Sequence, residues 1–274
     1  CARVCRGHGF PPTLSERRLG KFPVPGEIPA DLVGAYFRNG PNPRFKPLNR
    51  HHPFDGDGMV HGVYFKDGNV SYCNRYVQTA ASLGELAEGV SVSPGVMGPF
   101  DYSVSRYGIK DTSNTDVLWY AGDLVTLWYN AGDPCCLDGR TLDTRSQFQL
   151  QGRPTSRMSA HSKVDWNTGE LLFFDYGDEP PYLTYGVADS SGKLLHEVAI
   201  DLPGPRLPHD IGFTSRYALV HDLPLFHDMN VLRQHNYRVL TFHRDIPTRF
   251  GILPRRGKSS DVCWFECQPC YILH

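Results

Sequence analysis

The chain has 274 residues, a net charge of −1, a pI near 6.9 and 21% charged residues, enough for one large β domain or two ordinary ones. A near-neutral composition excludes broad electrostatic binding to nucleic acid or to an anionic membrane, which needs a concentrated basic face. No apolar run approaches the ~18–20 residues that span a bilayer, and no basic-then-apolar leader opens the sequence.

Residue 1 is Cys rather than Met, so the start reads as a fragment boundary. The eight cysteines are irregularly placed, which fits a reducing compartment, with cytoplasm as the default, better than a disulfide framework. Pro11, Pro12, Pro23, Pro25 and Pro29 make residues 1–30 an irregular segment. From residue 31 to 274 a single pattern repeats. Val63–Val77 is two alternating runs about an Asp67-Gly68-Asn69 turn, a strong hairpin signal. Val117–Trp128 repeats it around Ala121-Gly122-Asp123, and Lys163–Phe174 and Tyr185–Val198 repeat it again. Further strand runs follow at Tyr217–Leu223 and Arg238–Phe242. Helical periodicity is nearly absent, with one short turn expected from Leu83 to Glu88. The basic run Arg244 to Lys258, broken by Asp245, two prolines and two glycines, reads as a solvated loop.

Recurrent hairpins without intervening helices indicate an all-β propeller, sandwich or barrel. The likeness among the hairpins favours a propeller, and blades of ~40–50 residues would make about six from this length.

The last stretch, Asp261–His274, alternates like a strand and carries three cysteines. Cys263, Cys267, Cys270 and His274 have the ligand types of a zinc site. The residues between them include Trp264, Phe265, Pro269, Tyr271, Ile272 and Leu273, so a buried strand with cysteines as core filler, delivering one histidine to a distant site, is the stronger reading. Asp55, Asp57 and His61, in His51–His61, form a second metal-capable set. The segment lacks the remaining ligands of a calcium loop, and its Asp-Gly-Asp-Gly reads as a turn before a strand from Met59 to Phe65. Gly56-x-Gly58 precedes no helix, which argues against a dinucleotide site. Among the twelve histidines, His196, His227, His235 and His243 sit among charged or turn residues and read as surface. His161, His209 and His274 stand at strand boundaries in separate hairpins, where a propeller gathers side chains near its axis. Imidazoles from different blades suit a divalent first-row metal.

Several motifs resemble those of the carotenoid oxygenase (carotenoid cleavage dioxygenase) family, over almost everything after about residue 20. They are Gly34–Pro43, Phe54–His61, Asn114-Thr115, Ser159–Asp165, His209–Thr214 and Asp261–Glu266 leading to His274. The resemblance implies a seven-bladed β-propeller, here incomplete because the chain stops before the closing blade. It also implies a non-haem Fe(II) centre held by four histidines, with O₂ as co-substrate, that cleaves a conjugated C=C bond into two carbonyl products. His161, His209 and His274 match the first three ligands by motif, and these are the expected metal and catalytic residues. The fourth lies further along the family's longer chains. The implied partner is an apolar polyene, with peripheral membrane contact for its uptake and no nucleic acid. Aromatics from Tyr36 to Phe65 are candidate tunnel walls.

Two positions depart from the family pattern. Tyr129 stands where the family usually has a Glu that accepts a hydrogen bond from a ligand histidine, and Asp133 is the nearby carboxylate that would partly substitute. Trp128 stands where stilbene-cleaving relatives typically place a Lys, which suits a carotenoid or apocarotenoid. The alternatives are cleavage of a stilbene-type aromatic alkene, or a catalytically dead truncated propeller that only binds.

Overall fold

The computed structural model describes residues 12–274; Pro11 of the proline-rich start lies outside the described residues. The first sheet contains β1 (Arg17–Leu19), β2 (Gly34–Asn42), β3 (Asp57–Lys66) and β4 (Asn69–Tyr76), in the spatial order β1-β4-β3-β2. The second contains β5 (Asp116–Tyr120), β6 (Asp123–Leu127), β7 (Cys135–Leu137) and β8 (Thr144–Gln147) in sequence order. The third contains β9 (Lys163–Asp165), β10 (Glu170–Tyr176), β11 (Leu183–Ala188) and β12 (Leu194–Ala199), again in sequence order. The fourth is built from β13 (Gly212–Phe213) and β14 (Tyr217–Asp222). A two-stranded excursion follows, β15 (Leu225–His227) and β16 (Leu240–Phe242), before β17 (Thr248–Pro254) and β18 (Cys263–Cys267) complete the sheet in the order β13-β14-β17-β18. The pairings between these strands are antiparallel.

These sheets stand side by side as blades, with β2 touching β5 and β5 touching β9. The chain is thus a partial β-propeller with four four-stranded sheets among the described residues, fewer than the six that length alone would allow. The long connections 77–115 and 223–247 account for the difference. The first holds helix α1 (Ala80–Glu88) and the second holds helix α2 (Met229–His235). α1 is longer than the expected single turn. Thr79 caps its start by accepting from Ser82 N at 3.0 Å, and Gly89 ends it in a left-handed conformation.

The hairpin turns follow from their residues. Asp67 and Gly68 both take positive φ, 50° and 66°, as do Ala121 and Gly122, at 50° and 86°. That backbone matches the twist of two-residue hairpins.

Propeller blades pack face to face, so central strands are buried on both sides and alternate residues serve different neighbours. β10 shows this directly. Leu171 and Phe173 pack with Val125 and Leu127 of the second sheet, while Leu172, Phe174 and Tyr176 pack with Val220 and Leu253 of the fourth. Between the first two sheets, Val60 and Cys73 meet Leu124 and Leu137.

Three expectations fail here. Arg17–Leu19, inside the segment expected to be irregular, forms a short strand against Tyr72–Asn74. The basic run is not a solvated loop, since it contains β17, an inner strand of the fourth sheet. Its charges are answered from elsewhere: Arg249 pairs with Asp222, and Arg255 bonds Asp165 and Glu170. β18 is an edge strand rather than buried, with Cys263 and Cys267 exposed and Phe265 53% exposed. Cys263 and Cys267 are therefore not core filler.

Candidate metal centre

Three segments far apart in sequence converge on one point. His161 lies two residues before β9 and His209 three before β13, each the first strand of its sheet in chain order, while His274 follows β18. Each histidine offers one ring nitrogen such that the three lie within 4.8 Å of one another. The ring centroids are separated by 4.7 Å (His161–His209), 4.5 Å (His161–His274) and 5.1 Å (His209–His274). Among the described residues this is the one group of three or more metal-capable side chains so arranged.

The His161 loop is stitched between blades. Ser159 N donates to Phe174 O at 2.8 Å, Ala160 N to Trp128 O at 3.0 Å, and Ser162 Oγ to Ser159 O at 2.9 Å. His161 itself has φ +65°, a left-handed conformation that costs a non-glycine residue about 1–3 kcal/mol. Its backbone N–H is claimed by Asp116 Oδ2 at 2.9 Å.

The motifs flanking this loop act as scaffold. Asn114 Nδ2 donates to the carbonyls of Phe54 and Gly56 at 2.8 and 2.7 Å. Gly58 approaches the 112–113 backbone so closely that a Cβ would stand 2.6 Å from Ser113 O. Asp55 accepts from Val96 N and His52 N; Asp57 pairs with Lys110 at 2.6 Å; His61 Nδ1 bonds Tyr72 OH at 2.6 Å. These three are thus engaged separately and form no metal set.

The segment leading to His274 is tied down at three places. Thr248 Oγ1 donates to Cys270 O at 2.7 Å and accepts from Cys270 N at 2.9 Å, and Tyr271 OH donates to Leu207 O at 3.2 Å. Asp210 Oδ2 lies 3.0 Å from His274 Nδ1. His274 is thereby turned toward the other histidines. Cys263, Cys267 and Cys270 make no four-ligand zinc set with it.

Electrostatics favour the ligand form of the imidazoles. Burial, opposed by Asp210 and aided by His274 and Lys163, pushes the His161 pKa down to about 4. Burial likewise holds His209 down to about 4. Both are therefore neutral at pH 7 with a lone pair to offer, as metal ligation requires. His161 Nε2 is buried and has no hydrogen-bond partner. Three converging imidazoles, one with an orphaned ring nitrogen, fit a borderline divalent first-row ion. Burial raises Asp116, against the opposing pull of the His161 N–H. For Asp210 burial is outweighed by the hydrogen bonds from Lys163 and His274, so its carboxyl falls below the ordinary range.

Tyr129 and Asp133 do not serve the cluster. The Tyr129 ring packs on Phe54 and Trp128, and its carbonyl accepts from Tyr176 OH and Ser159 Oγ. Asp133 is taken by Arg106 and by Ser156 Oγ. Trp128 is buried with Phe100, Ile109 and Leu232. A cavity of about 650 Å³ opens beside Tyr176, lined by Tyr102, Tyr107 and Met229 together with Arg157 and Arg238. None of the aromatics between Tyr36 and Phe65 lines it, whereas Tyr64 and Phe65 line a separate cavity of about 620 Å³. His227, expected at the surface, is buried against Asp178 at 3.2 Å.

Sequence reading missed Asp116, Lys163 and Asp210. The available signal was adjacency, since Asp210 follows His209 directly and Lys163 is two residues after His161.

Comparison with known proteins agrees with this architecture. A family profile described as RPE65, retinal pigment epithelial membrane protein, matches residues 10–274. The carotenoid 9,10(9',10')-cleavage dioxygenase of Crocus sativus is 33% identical over 274 residues, covering 92% of this chain and 50% of that protein. The crystal structure of Pseudomonas brassicacearum lignostilbene dioxygenase superposes with a TM-score of 0.85 at 32% identity, covering 93% of this chain and 54% of that one. The cobalt-substituted apocarotenoid oxygenase of Synechocystis gives a TM-score of 0.83 at 26% identity, over 97% of this chain and 59% of that one. The chain spans about half the length of the curated relatives it matches. With the profile matching residues 10–274 and the blades superposing on oxygenase propellers, the chain belongs to the retinal pigment epithelial membrane protein family, that of the carotenoid oxygenases.

Proposed function

We propose that this chain carries three of the ligands, His161, His209 and His274, of a non-haem Fe(II) centre that cleaves a carotenoid or apocarotenoid C=C bond with O₂. The observation that carries the reading is the convergence of three imidazole nitrogens from separate blades within 4.8 Å. Both oxygen atoms go to the two former alkene carbons, giving two carbonyl products. Fe(II), when bound, supplies the O₂ chemistry, because neutral imidazoles leave its charge uncompensated and leave coordination positions open. The protein keeps His161 and His209 deprotonated by burial. Asp116 and the blade contacts of the 159–162 loop fix where the His161 ring stands. A polyene would be held by burial alone, at ~25 cal/mol per Å² of apolar surface.

Incubating the purified, Fe(II)-supplied full-length protein with an apocarotenoid under ¹⁸O₂ tests this. Label in both carbonyl products is expected, and no oxygen-dependent aldehyde would sink the reading. A hydroxystilbene belongs in the same assay, because the lignostilbene dioxygenase is a structural neighbour at a TM-score of 0.85. A second reading, a catalytically dead propeller that binds an apolar ligand, is favoured by Tyr129 standing in the usual place of a Glu. It predicts ligand binding without product.

A further inference from the structure

Asp210 touches all three histidine-bearing segments. It follows His209 in the chain. Its Oδ1 accepts from Lys163 Nζ at 2.6 Å and from the backbone N–H of Ile211 at 2.7 Å, and Lys163 is two residues after His161. Its Oδ2 faces His274 Nδ1 at 3.0 Å. The carboxylate is largely enclosed, at 14% exposure, whereas the His274 side chain is 53% exposed.

These contacts define a task. A neutral imidazole has one N–H and one lone pair, and the hydrogen bond made by one nitrogen decides which role the other plays. A carboxylate that accepts from Nδ1 places the proton there and leaves Nε2 as the ligand atom. It also fixes the plane of the ring. With Oδ1 anchored by Lys163 and Ile211, the carboxylate cannot rotate away.

We propose that Asp210 is a positioning residue of the metal centre: it fixes His274 as the Nδ1–H tautomer and aims Nε2 at His161 and His209, with Lys163 locking the carboxylate. This rests on the reading of the three histidines as metal ligands. It supplies from within the His209 segment the orienting carboxylate that Tyr129 does not provide.

Two readouts test it separately. ¹⁵N NMR of the metal-free chain at neutral pH reports the His274 tautomer. The Nδ1–H form is expected, and the Nε2–H form or a free mixture would overturn the proposal. Co(II) titration followed by visible absorption reports affinity. Asp210→Ala is expected to weaken binding by about 10–100-fold while far-ultraviolet dichroism stays unchanged, and Lys163→Met by several-fold. Unchanged affinity in Asp210→Ala would overturn the proposal. If Asp210→Ala does not fold, the wild-type tautomer alone decides. A wild-type chain that takes up no Co(II) but shows the Nδ1–H tautomer would count against the metal reading and not against the Asp210–His274 contact.

Discussion

The carboxylate of Asp116 holds the backbone of His161 rather than its ring: Oδ2 accepts the His161 N–H at 2.9 Å, while the imidazole Nδ1 stands 3.8 Å away. The contact crosses from the second sheet to the loop that opens the third. It stabilises a left-handed residue at φ +65°, and so sets the direction in which the imidazole leaves the chain.

Asp116→Ala should therefore act on both stability and metal affinity. Losing a charge-assisted hydrogen bond to a part-buried N–H costs about 1–3 kcal/mol, read by urea denaturation. With His161 free to relax to negative φ, Co(II) affinity should fall by tenfold or more. A variant that loses stability but keeps wild-type affinity would show that the strained backbone is irrelevant to the site.

The segment before His274 depends on Thr248. Its hydroxyl both donates to and accepts from the Cys270 backbone, so Thr248→Val removes the anchor with little change of volume. We expect a loss of ~1–2 kcal/mol in stability and several-fold weaker metal binding. Hydrogen exchange at Cys270 N–H would rise in parallel, and unchanged exchange would contradict the anchoring role.

How much of this was visible beforehand differs by element. The hairpins at residues 67–69 and 121–123 were legible because left-handed turn residues and two alternating runs are local features. β17 was not. Arg249, Arg255 and Arg256 look solvated until Asp222, Asp165 and Glu170 arrive from strands that are distant in sequence. β18 alternates like a core strand, yet it lies at the edge of its sheet, which periodicity alone does not reveal. The histidine trio was suggested by strand boundaries and sharpened by the family motifs. Its supports, Asp116 and Asp210, were hidden because each binds a partner 45 to 64 residues away.

A buried ion cluster fastens α1 to the first sheet. Lys110 Nζ lies 2.6 Å from Asp57 and 2.5 Å from Glu85, all three side chains at or below 8% exposure. Glu85 also accepts from Ser91 Oγ and from the N–H groups of Val92 and Ser93. Lys110→Met leaves two carboxylates buried without their cation and should cost about 3–5 kcal/mol. A loss below ~1 kcal/mol in chemical denaturation would mean the cluster is hydrated.

Asp111 gives a pH dependence of known sign. Burial pushes its carboxyl up to about 7, against the opposing hydrogen bonds from the Asp133 and Ser113 N–H groups. The folded chain keeps a proton that an unfolded Asp releases near ~3.9. This stabilising contribution is complete below about pH 4 and is lost as pH rises through about 7. Carbon-13 NMR of the Asp111 carboxyl should show a midpoint near 7, and a midpoint near 4 would refute the burial argument.

The central claim is that His161, His209 and His274 together hold one metal ion. Co(II) titration of the purified chain, followed by its visible absorption and by metal content after gel filtration, tests it most directly. The account predicts saturation near about one Co(II) per chain and loss of binding by at least tenfold in His209→Ala and His274→Ala. No uptake by the wild-type chain, or uptake unaffected by both substitutions, would contradict it.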